Sequence, residues 1–170
     1  MTSNDERFAL IFNGAIYNHR VLREELESSG YRFHTHCDTE VLLNAWHHWG
    51  SDALPRLRGM FAFAVWDRSQ NSLTLVRDPL EIKPLYYSET AGQLLLASVL
   101  NALCASRQFD QSINPHAVDQ FLARLSVPAP ETIYQDAKSL RPGGIDGLAR
   151  RGPPFTSFLE MPLQPLSRCN

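Results

Sequence analysis

The seven residues Met60–Trp66 constrain the fold of this chain more than any other segment. All seven are apolar, so they lack the polar alternation of a strand that has one solvated face. A polar stretch, Asp67–Asn71, follows them and reads as a turn. The run therefore predicts a strand that is buried on both faces, which requires a packed layer on each side of its sheet.

Shorter strands are expected on either side of this run. Leu73–Val76 and Leu94–Ala97 read as strands, Tyr31–His36 as a short strand, and Phe8–Phe12 as a strand that ends in a tight corner at Asn13-Gly14. The short spacings around the central strands favour antiparallel pairing.

Three amphipathic helices are expected, each beginning at a capping residue. Asn18 would cap a helix that runs to Ser29, with Leu22 and Leu26 on one face. Asp38 would cap a second helix, and Asn114 a third with Pro115 at its first position. The apolar stripe of the second helix is Leu42, Ala45, Trp46 and Trp49, and that of the third is Val118, Phe121, Leu122 and Leu125. The pattern predicts an α+β domain of antiparallel sheets with helices on their faces.

Composition excludes several classes of partner and location. A chain of 170 residues is one domain by default, and its net charge of −2 argues against nucleic acid or an anionic membrane as a partner. No apolar run approaches a membrane span, and Met1–Arg7 is too polar for a signal peptide. Three widely spaced cysteines favour reduced thiols, so we expect a cytoplasmic protein.

The segment Asn13-Gly14-Ala15-Ile16-Tyr17-Asn18 carries the chemistry. A side-chain amide beside a glycine N–H makes a pair of donors that can hold a developing oxyanion. An ordinary Asn-Gly turn is the alternative interpretation of the same two residues.

Four motifs occur together and in order. They are Asn13–Asn18, then Cys37-Asp38-Thr39-Glu40, then Arg58-Gly59-Met60-Phe61-Ala62-Phe63, and finally Arg77-Asp78 with Ile82-Lys83-Pro84-Leu85-Tyr86-Tyr87. Between Phe8 and Gly143 the chain resembles the class II glutamine amidotransferase domain of asparagine synthetases. The resemblance implies an αββα sandwich of the N-terminal-nucleophile hydrolase type, incomplete in this chain.

The resemblance also assigns the site. It implies that Asn13 and Gly14 are the oxyanion donors and that Asp38 binds the α-amino group of the substrate glutamine. No metal is expected, because strand alternation would put Cys37 on the opposite face from His34 and His36 and no second ligand pair has the usual zinc spacing. Members of the family use an N-terminal cysteine several dozen residues upstream of the Asn-Gly motif, whereas only twelve residues stand there in this chain, none of them cysteine. Cys37 is internal and has no terminal amine beside it, so a buried inert thiol is the better interpretation. Thr2 is weighed as a nucleophile and set aside as part of a frayed terminus.

We therefore expect a domain that is truncated at both ends. Residues 1–143 would be a partial amidotransferase domain, and 144–170, rich in proline and glycine, an unmatched and disordered tail. In the family, hydrolysis of glutamine supplies ammonia for the ATP-dependent amidation of aspartate, and ATP and Mg²⁺ bind the second domain, so no cofactor is expected here.

The expected activity of the chain alone is little or none. Two alternatives stay open: a non-catalytic protein that binds glutamine or docks on a partner, and an amidotransferase of a polysaccharide locus. Self-association through exposed sheet edges is also expected, because the missing strands would leave those edges unpaired.

Overall fold

The computed structural model describes residues 1–90, 93–149 and 155–158, and within them two antiparallel sheets lie between helices. The strands are β1 (Phe8–Ile16), β2 (Gly59–Asp67), β3 (Ser72–Arg77), β4 (Tyr86–Thr90), β5 (Gln93–Ala97), β6 (Lys138–Ser139), β7 (Gly144–Ala149) and β8 (Phe155–Phe158). The helices are α1 (His19–Ser28), α2 (Asp38–Trp49), α3 (Leu100–Cys104) and α4 (Pro115–Arg124), with a 3₁₀ helix at Gly50–Arg56. One sheet has the order β1-β2-β3-β7-β8 and the other the order β5-β4-β6.

Strand β2 is buried on both faces, as the apolar run predicts. Phe61, Phe63 and Val65 join a core cluster with Leu22 and Leu26 of α1 and with the apolar residues of α2. On the opposite face Ala62 and Ala64 join Leu75, Leu85 and Leu140, which connect the first sheet to the second. The alternation of side chains along the strand thus places one set against the helices and the other against the second sheet.

The second sheet carries α3 on its outer face. Leu103 of α3 is buried with Phe109 and Ala137, and Leu95 and Ala97 of β5 pack against this cluster. Helices, sheet, sheet and helix therefore follow one another through the molecule, and the predicted αββα sandwich is confirmed.

The predicted corner at Asn13-Gly14 is wrong, because β1 continues without a break to Ile16. Its register with β2 runs from Phe8↔Asp67 to Ile16↔Gly59. A Cβ atom on Gly14 would overlap the Met60 carbonyl oxygen, and one on Gly59 would overlap the Ala15 carbonyl oxygen. Glycine is required here for the close approach of two strands rather than for a turn.

Two local predictions before α2 are also wrong. Residues 31–36 form no strand, because the Glu40 carboxylate accepts the backbone N–H groups of His34 and Thr35 at 2.8 and 2.7 Å. Asp38 lies inside α2, and Cys37 occupies the N-cap position. The side chain of Glu40 reaches back to the preceding loop, so it does what a capping carboxylate does at the third helical position.

The Asn18 side chain does not cap α1. Its Nδ2 donates to the Arg56 carbonyl at 2.8 Å, and its Oδ1 accepts from the Arg58 N–H at 2.9 Å. The side-chain amide of Asn18 therefore both donates to and accepts from the backbone of the segment before β2, in the way that an adjacent strand would. Leu22 and Leu26 are buried as predicted.

Helix α4 begins as predicted, but its apolar stripe is not buried. The Asn114 side chain accepts from the N–H groups of His116 and Ala117. Phe121 is half exposed, and Leu122 and Leu125 are 73% and 82% exposed. No layer of the described residues covers this stripe, so the periodicity predicted the helix correctly and its burial wrongly.

Two strands lie in the segment for which we expected a disordered tail. β7 pairs with β3 from Val76↔Ile145 to Ser72↔Ala149, and β8 pairs with β7 from Gly147↔Phe155 to Gly144↔Phe158. Without β7, the outer edge of β3 would present unpaired backbone groups. A segment can pair with such an edge through its own backbone, so β7 needs no strong apolar pattern and was not predicted from the sequence. The rest of the expected tail lies outside the described residues.

Candidate functional site

The outer edge of β1 carries an unoccupied stretch of backbone. Along a strand in an antiparallel sheet, the backbone N–H and C=O groups of alternate residues point toward opposite neighbouring strands. Phe8 and Leu10 bond outward to Ser3 and Met1, away from β2. Phe12 and Gly14 point the same way by alternation, and within the part of the chain that the structure describes nothing pairs with their N–H groups.

Asp38 lies on this same edge. Its Oδ2 accepts the outward N–H of Ile16 at 2.9 Å, while no described residue donates to its Oδ1. Because Asp38 is the first residue of α2, the helix dipole stabilises its negative charge. The N–H groups of Gly14 and Ile16 are two residues apart on one edge, about 7 Å. The structure therefore places the Gly14 N–H and the Asp38 carboxylate on the same strand edge, and the roles that the resemblance implies for them stay predictions.

Asn13 lies beside them and faces the space between the sheets. With Ile11, Ala62 and Ala64 it lines an open pocket of about 220 Å³, whose other wall includes Leu85 and Ser98. Within the described residues the Asn13 amide forms no hydrogen bond, so it remains available to a ligand. Asn13 and Gly14 are consecutive, and their two donors therefore lie at the same end of β1.

No activated nucleophile accompanies these donors in the described residues. Ser98 is the only hydroxyl or thiol side chain that lines the pocket, and no histidine, lysine or carboxylate lines it to act as a base. The sequence reasoning passed over Ser98, since nothing in its immediate neighbourhood marks it as a pocket residue. The Cys37 thiol lies 2.9 Å from the Thr35 hydroxyl and does not line the pocket.

Thr2 is ordered but far from the site. It bridges Ala9, four residues before Asn13, which is about 13 Å along a strand. The expectation of a frayed terminus is therefore wrong, because residues Met1–Ser3 pair with β1. The position of Thr2 still excludes it from the two donors in this structure.

Arg77 and Asp78 organise the turn that holds one wall of the pocket. Fully buried Asp78 accepts backbone N–H groups of Leu80, Ile82, Lys83 and, more weakly, Phe61. The Lys83 contact is made by its main-chain N–H, at 3.0 Å from Asp78 Oδ2. Arg77 donates to the carbonyl oxygens of Lys83 and Leu140 at 2.9 and 2.7 Å, which ties the end of β3 to the second sheet.

Residues 1–90, 93–149 and 155–158 contain neither a cluster of metal ligands nor a membrane-spanning helix. No group of three or more histidine, cysteine or acidic residues there is arranged to hold a metal ion. None of the helices found there has the length and apolar character needed to cross a membrane.

Comparison with known proteins identifies the family. Residues 1–158 match the family model described as glutamine amidotransferase domain, so the chain belongs to the glutamine amidotransferase family. It is 43% identical over 143 residues to asparagine synthetase [glutamine-hydrolyzing] 1 of Bacillus subtilis (strain 168), covering 84% of this chain and 22% of that protein. It is 33% identical over 142 residues to asparagine synthetase [glutamine-hydrolyzing] 3 of the same organism, covering 83% of this chain and 23% of the relative.

Solved structures support the fold. Glutamine phosphoribosylpyrophosphate amidotransferase from B. subtilis, complexed with ADP and GMP, superposes with a TM-score of 0.62 at 21% identity, covering 95% of this chain and 31% of that one. At this identity the likeness confirms the αββα fold of the chain. The chain spans less than a quarter of the length of the two curated relatives.

Proposed function

We propose that this chain binds glutamine along the outer edge of β1 and does not hydrolyse it unaided. The observation that carries the proposal is the placement of the Gly14 N–H and the Asp38 carboxylate on one unoccupied edge. The side-chain carbonyl of glutamine would accept from Gly14 and Asn13, and its α-ammonium group would donate to the partnerless oxygen of Asp38. Hydrolysis would also need a nucleophile with a base beside it, and the Ser98 hydroxyl has no base among the other residues that line the described pocket.

The wider role follows from the relatives. Both relatives reported above are named as glutamine-hydrolysing asparagine synthetases. We therefore propose that the chain takes part in the same chemistry, supply of amide nitrogen for asparagine synthesis in the cytoplasm, by binding glutamine rather than by hydrolysing it unaided. ATP and Mg²⁺ would act in a part of such proteins that this chain does not match, and we assign it no cofactor. Residues 1–158, which the family model matches, would form the amidotransferase part.

One observation favours a second role, docking on a partner protein. The stripe on α4 leaves Leu122 and Leu125 mostly exposed, and exposed apolar patches commonly mark protein interfaces. A partner-docking pseudo-enzyme would need this stripe and would not need Asp38. Leu122→Lys and Asp38→Asn therefore separate the two roles.

The test combines binding with turnover. We expect titration calorimetry to detect glutamine binding, and Asp38→Asn to weaken it about tenfold, because a charge-assisted hydrogen bond contributes about 1.5–3 kcal/mol. Asp119→Asn, an equivalent change at an exposed position of α4, should leave binding unchanged. Ammonia release should not exceed the rate without protein.

Two results would contradict the proposal. Binding that Asp38→Asn leaves intact would remove Asp38 from the site. Ammonia release that survives Ser98→Ala, Thr2→Ala and substitution of all three cysteines would show a nucleophile that the structure does not reveal.

A further inference from the structure

The Glu40 carboxylate is buried under the loop that leads into α2 and holds this loop at three points. Its Oε1 accepts the His34 N–H at 2.8 Å, and its Oε2 accepts the Thr35 N–H at 2.7 Å and the Thr35 hydroxyl at 2.6 Å. Burial by itself would raise the pKa of Glu40, but these three hydrogen bonds lower it below its ordinary value. Glu40 therefore stays ionised at neutral pH, and the loop is fixed to a buried negative charge.

Thr35 connects this buried charge to the residue before Asp38. The Thr35 hydroxyl gives its proton to Glu40, so the Cys37 thiol, whose Sγ lies 2.9 Å from Thr35 Oγ1, is the donor in that second contact. The Cys37 N–H also donates to Thr35 Oγ1, at 3.4 Å. The Arg23 guanidinium donates to the Thr35 carbonyl at 2.7 Å and thereby ties the loop to α1. A single hydroxyl oxygen therefore holds both the backbone and the side chain of Cys37.

Asp38 takes its position from this loop, because it is the first residue of α2 and follows Cys37 directly. Its Oδ2 accepts the Ile16 N–H at 2.9 Å, and no described residue donates to its Oδ1. A hydrogen bond weakens steeply as its length and angle depart from their preferred values, and a carboxylate makes some of the strongest ones. A small displacement of Cys37 would therefore lengthen the Ile16 contact and move the oxygen that is open to a ligand.

We propose that Thr35 and Glu40 are positioning residues, which hold the Asp38 carboxylate where it can bind the α-ammonium group of glutamine. The inference rests on the proposed function, since that function assigns the ammonium group to Asp38. The polar groups of Thr35 and Glu40 are taken by the loop itself, so both residues act through Asp38 rather than on the ligand. Thr35 is the more informative of the two to change, because its hydroxyl joins Glu40 to Cys37 and valine has nearly the same shape.

The test compares two ligands that differ only in the group that Asp38 would bind. Glutaramate is glutamine without its α-amino group. Thr35→Val removes the hydroxyl, and Thr35→Ser restores it. In titrations followed by NMR we expect Thr35→Val to raise the dissociation constant of glutamine about threefold to tenfold, the range for the loss of one hydrogen bond, and to leave that of glutaramate unchanged. Thr35→Ser should bring glutamine binding back to the level of the unmodified chain.

A matched control and a readout without ligand complete the test. Thr74→Val makes the same change in β3, at a hydroxyl that has no hydrogen bond within the described residues, and should alter neither dissociation constant. The Ile16 amide reports on Asp38 directly, so in Thr35→Val its resonance should shift and its hydrogen exchange should become faster. The amide of Phe63 should stay protected as a check on folding. If it does not, Thr35→Ala, which also removes the hydroxyl, replaces Thr35→Val.

The outcomes separate this inference from the proposed function. Unchanged glutamine binding in Thr35→Val, equal weakening of both ligands, an unmoved Ile16 amide, or no recovery in Thr35→Ser would each overturn the positioning role. The proposed function would still stand in those cases, provided that Asp38→Asn weakens glutamine binding. If the unmodified chain binds no glutamine, or if Asp38→Asn binds it equally well, the proposed function fails and this inference fails with it.

Discussion

Glu81, in the turn after β3, adopts a backbone conformation that favours glycine, so replacing it with glycine should stabilise the fold. Its φ is 57°, in the left-handed region, where a residue with a Cβ atom is less stable than glycine by about 1–2 kcal/mol. The glutamate side chain offsets little of this cost in stability, because its contact with Arg77 is 3.4 Å long and it is about half exposed. An exposed pair of this kind contributes about 0–1 kcal/mol.

Comparison of Glu81→Gly with Glu81→Ala isolates the backbone effect, since both remove the carboxylate. The Arg77 hydrogen bond to the Glu81 carbonyl does not depend on the side chain. Glycine gains conformational entropy in the unfolded chain, which offsets part of the relief. We therefore expect Glu81→Gly to be more stable than Glu81→Ala by about 1 kcal/mol, and to melt about 2–4 °C higher in a domain of this size.

Urea unfolding of both variants measures the difference, and Glu89 provides a control. Glu89 is exposed in β4 and has no positive φ, so there glycine should be less stable than alanine by about 0.5–1 kcal/mol. Equal stability of the two Glu81 variants, or greater stability of alanine, would refute the assignment of strain to this turn.

Three further predictions rest on the same structure. Asp78→Asn should lower the free energy of unfolding by about 3 kcal/mol in denaturant titrations. The single amide oxygen of asparagine cannot accept all three N–H groups, of Leu80, Ile82 and Lys83, that the carboxylate accepts. The control Asp136→Asn, at an exposed position, should change the free energy of unfolding little. Burial alone would raise the pKa of Asp67, but hydrogen bonds from Arg7 and Ser69 lower it to about 2 from 3.8. Its contribution of about 2 kcal/mol is therefore present above pH 4 and lost as pH falls toward 2, and Asp67→Asn should flatten stability over that range. Deleting 144–170 should destabilise the domain or make it aggregate in a thermal melt, because the deletion exposes the β3 edge that β7 covers. An unchanged melting midpoint would instead support the disordered tail that we expected from the sequence.

The sequence predicted the layers well and the local hydrogen bonding poorly. The run Met60–Trp66 identified the central strand because a strand buried on both faces is apolar at every position. That pattern can be read from the sequence without knowing which strands lie beside it. The capping roles of Asn18 and Asp38 were misassigned, since each side chain bonds to a backbone group whose position depends on the tertiary fold. The hydrogen bonds from Glu40 to the loop before α2 were missed for the same reason.

The site was predicted by resemblance, and its geometry was not. The sequence Asn13-Gly14 is typical of a turn, and only the register with β2 shows that Gly14 permits the close approach of two paired strands. The hydrogen bond between Asp5 and His47 was missed for a similar reason, because the two residues are 42 positions apart and neither carries a local signal.

The central claim is that glutamine binds at Gly14 and Asp38 without being hydrolysed. The most direct measurement is a titration of the ¹⁵N-labelled chain with glutamine, following the backbone amide resonance of Gly14. Saturable shifts at Gly14 and Ile16 that weaken in Asp38→Asn, with the glutamine recovered intact, are the predicted result. Shifts elsewhere with Gly14 unmoved, or conversion of glutamine to glutamate during the titration, would contradict it.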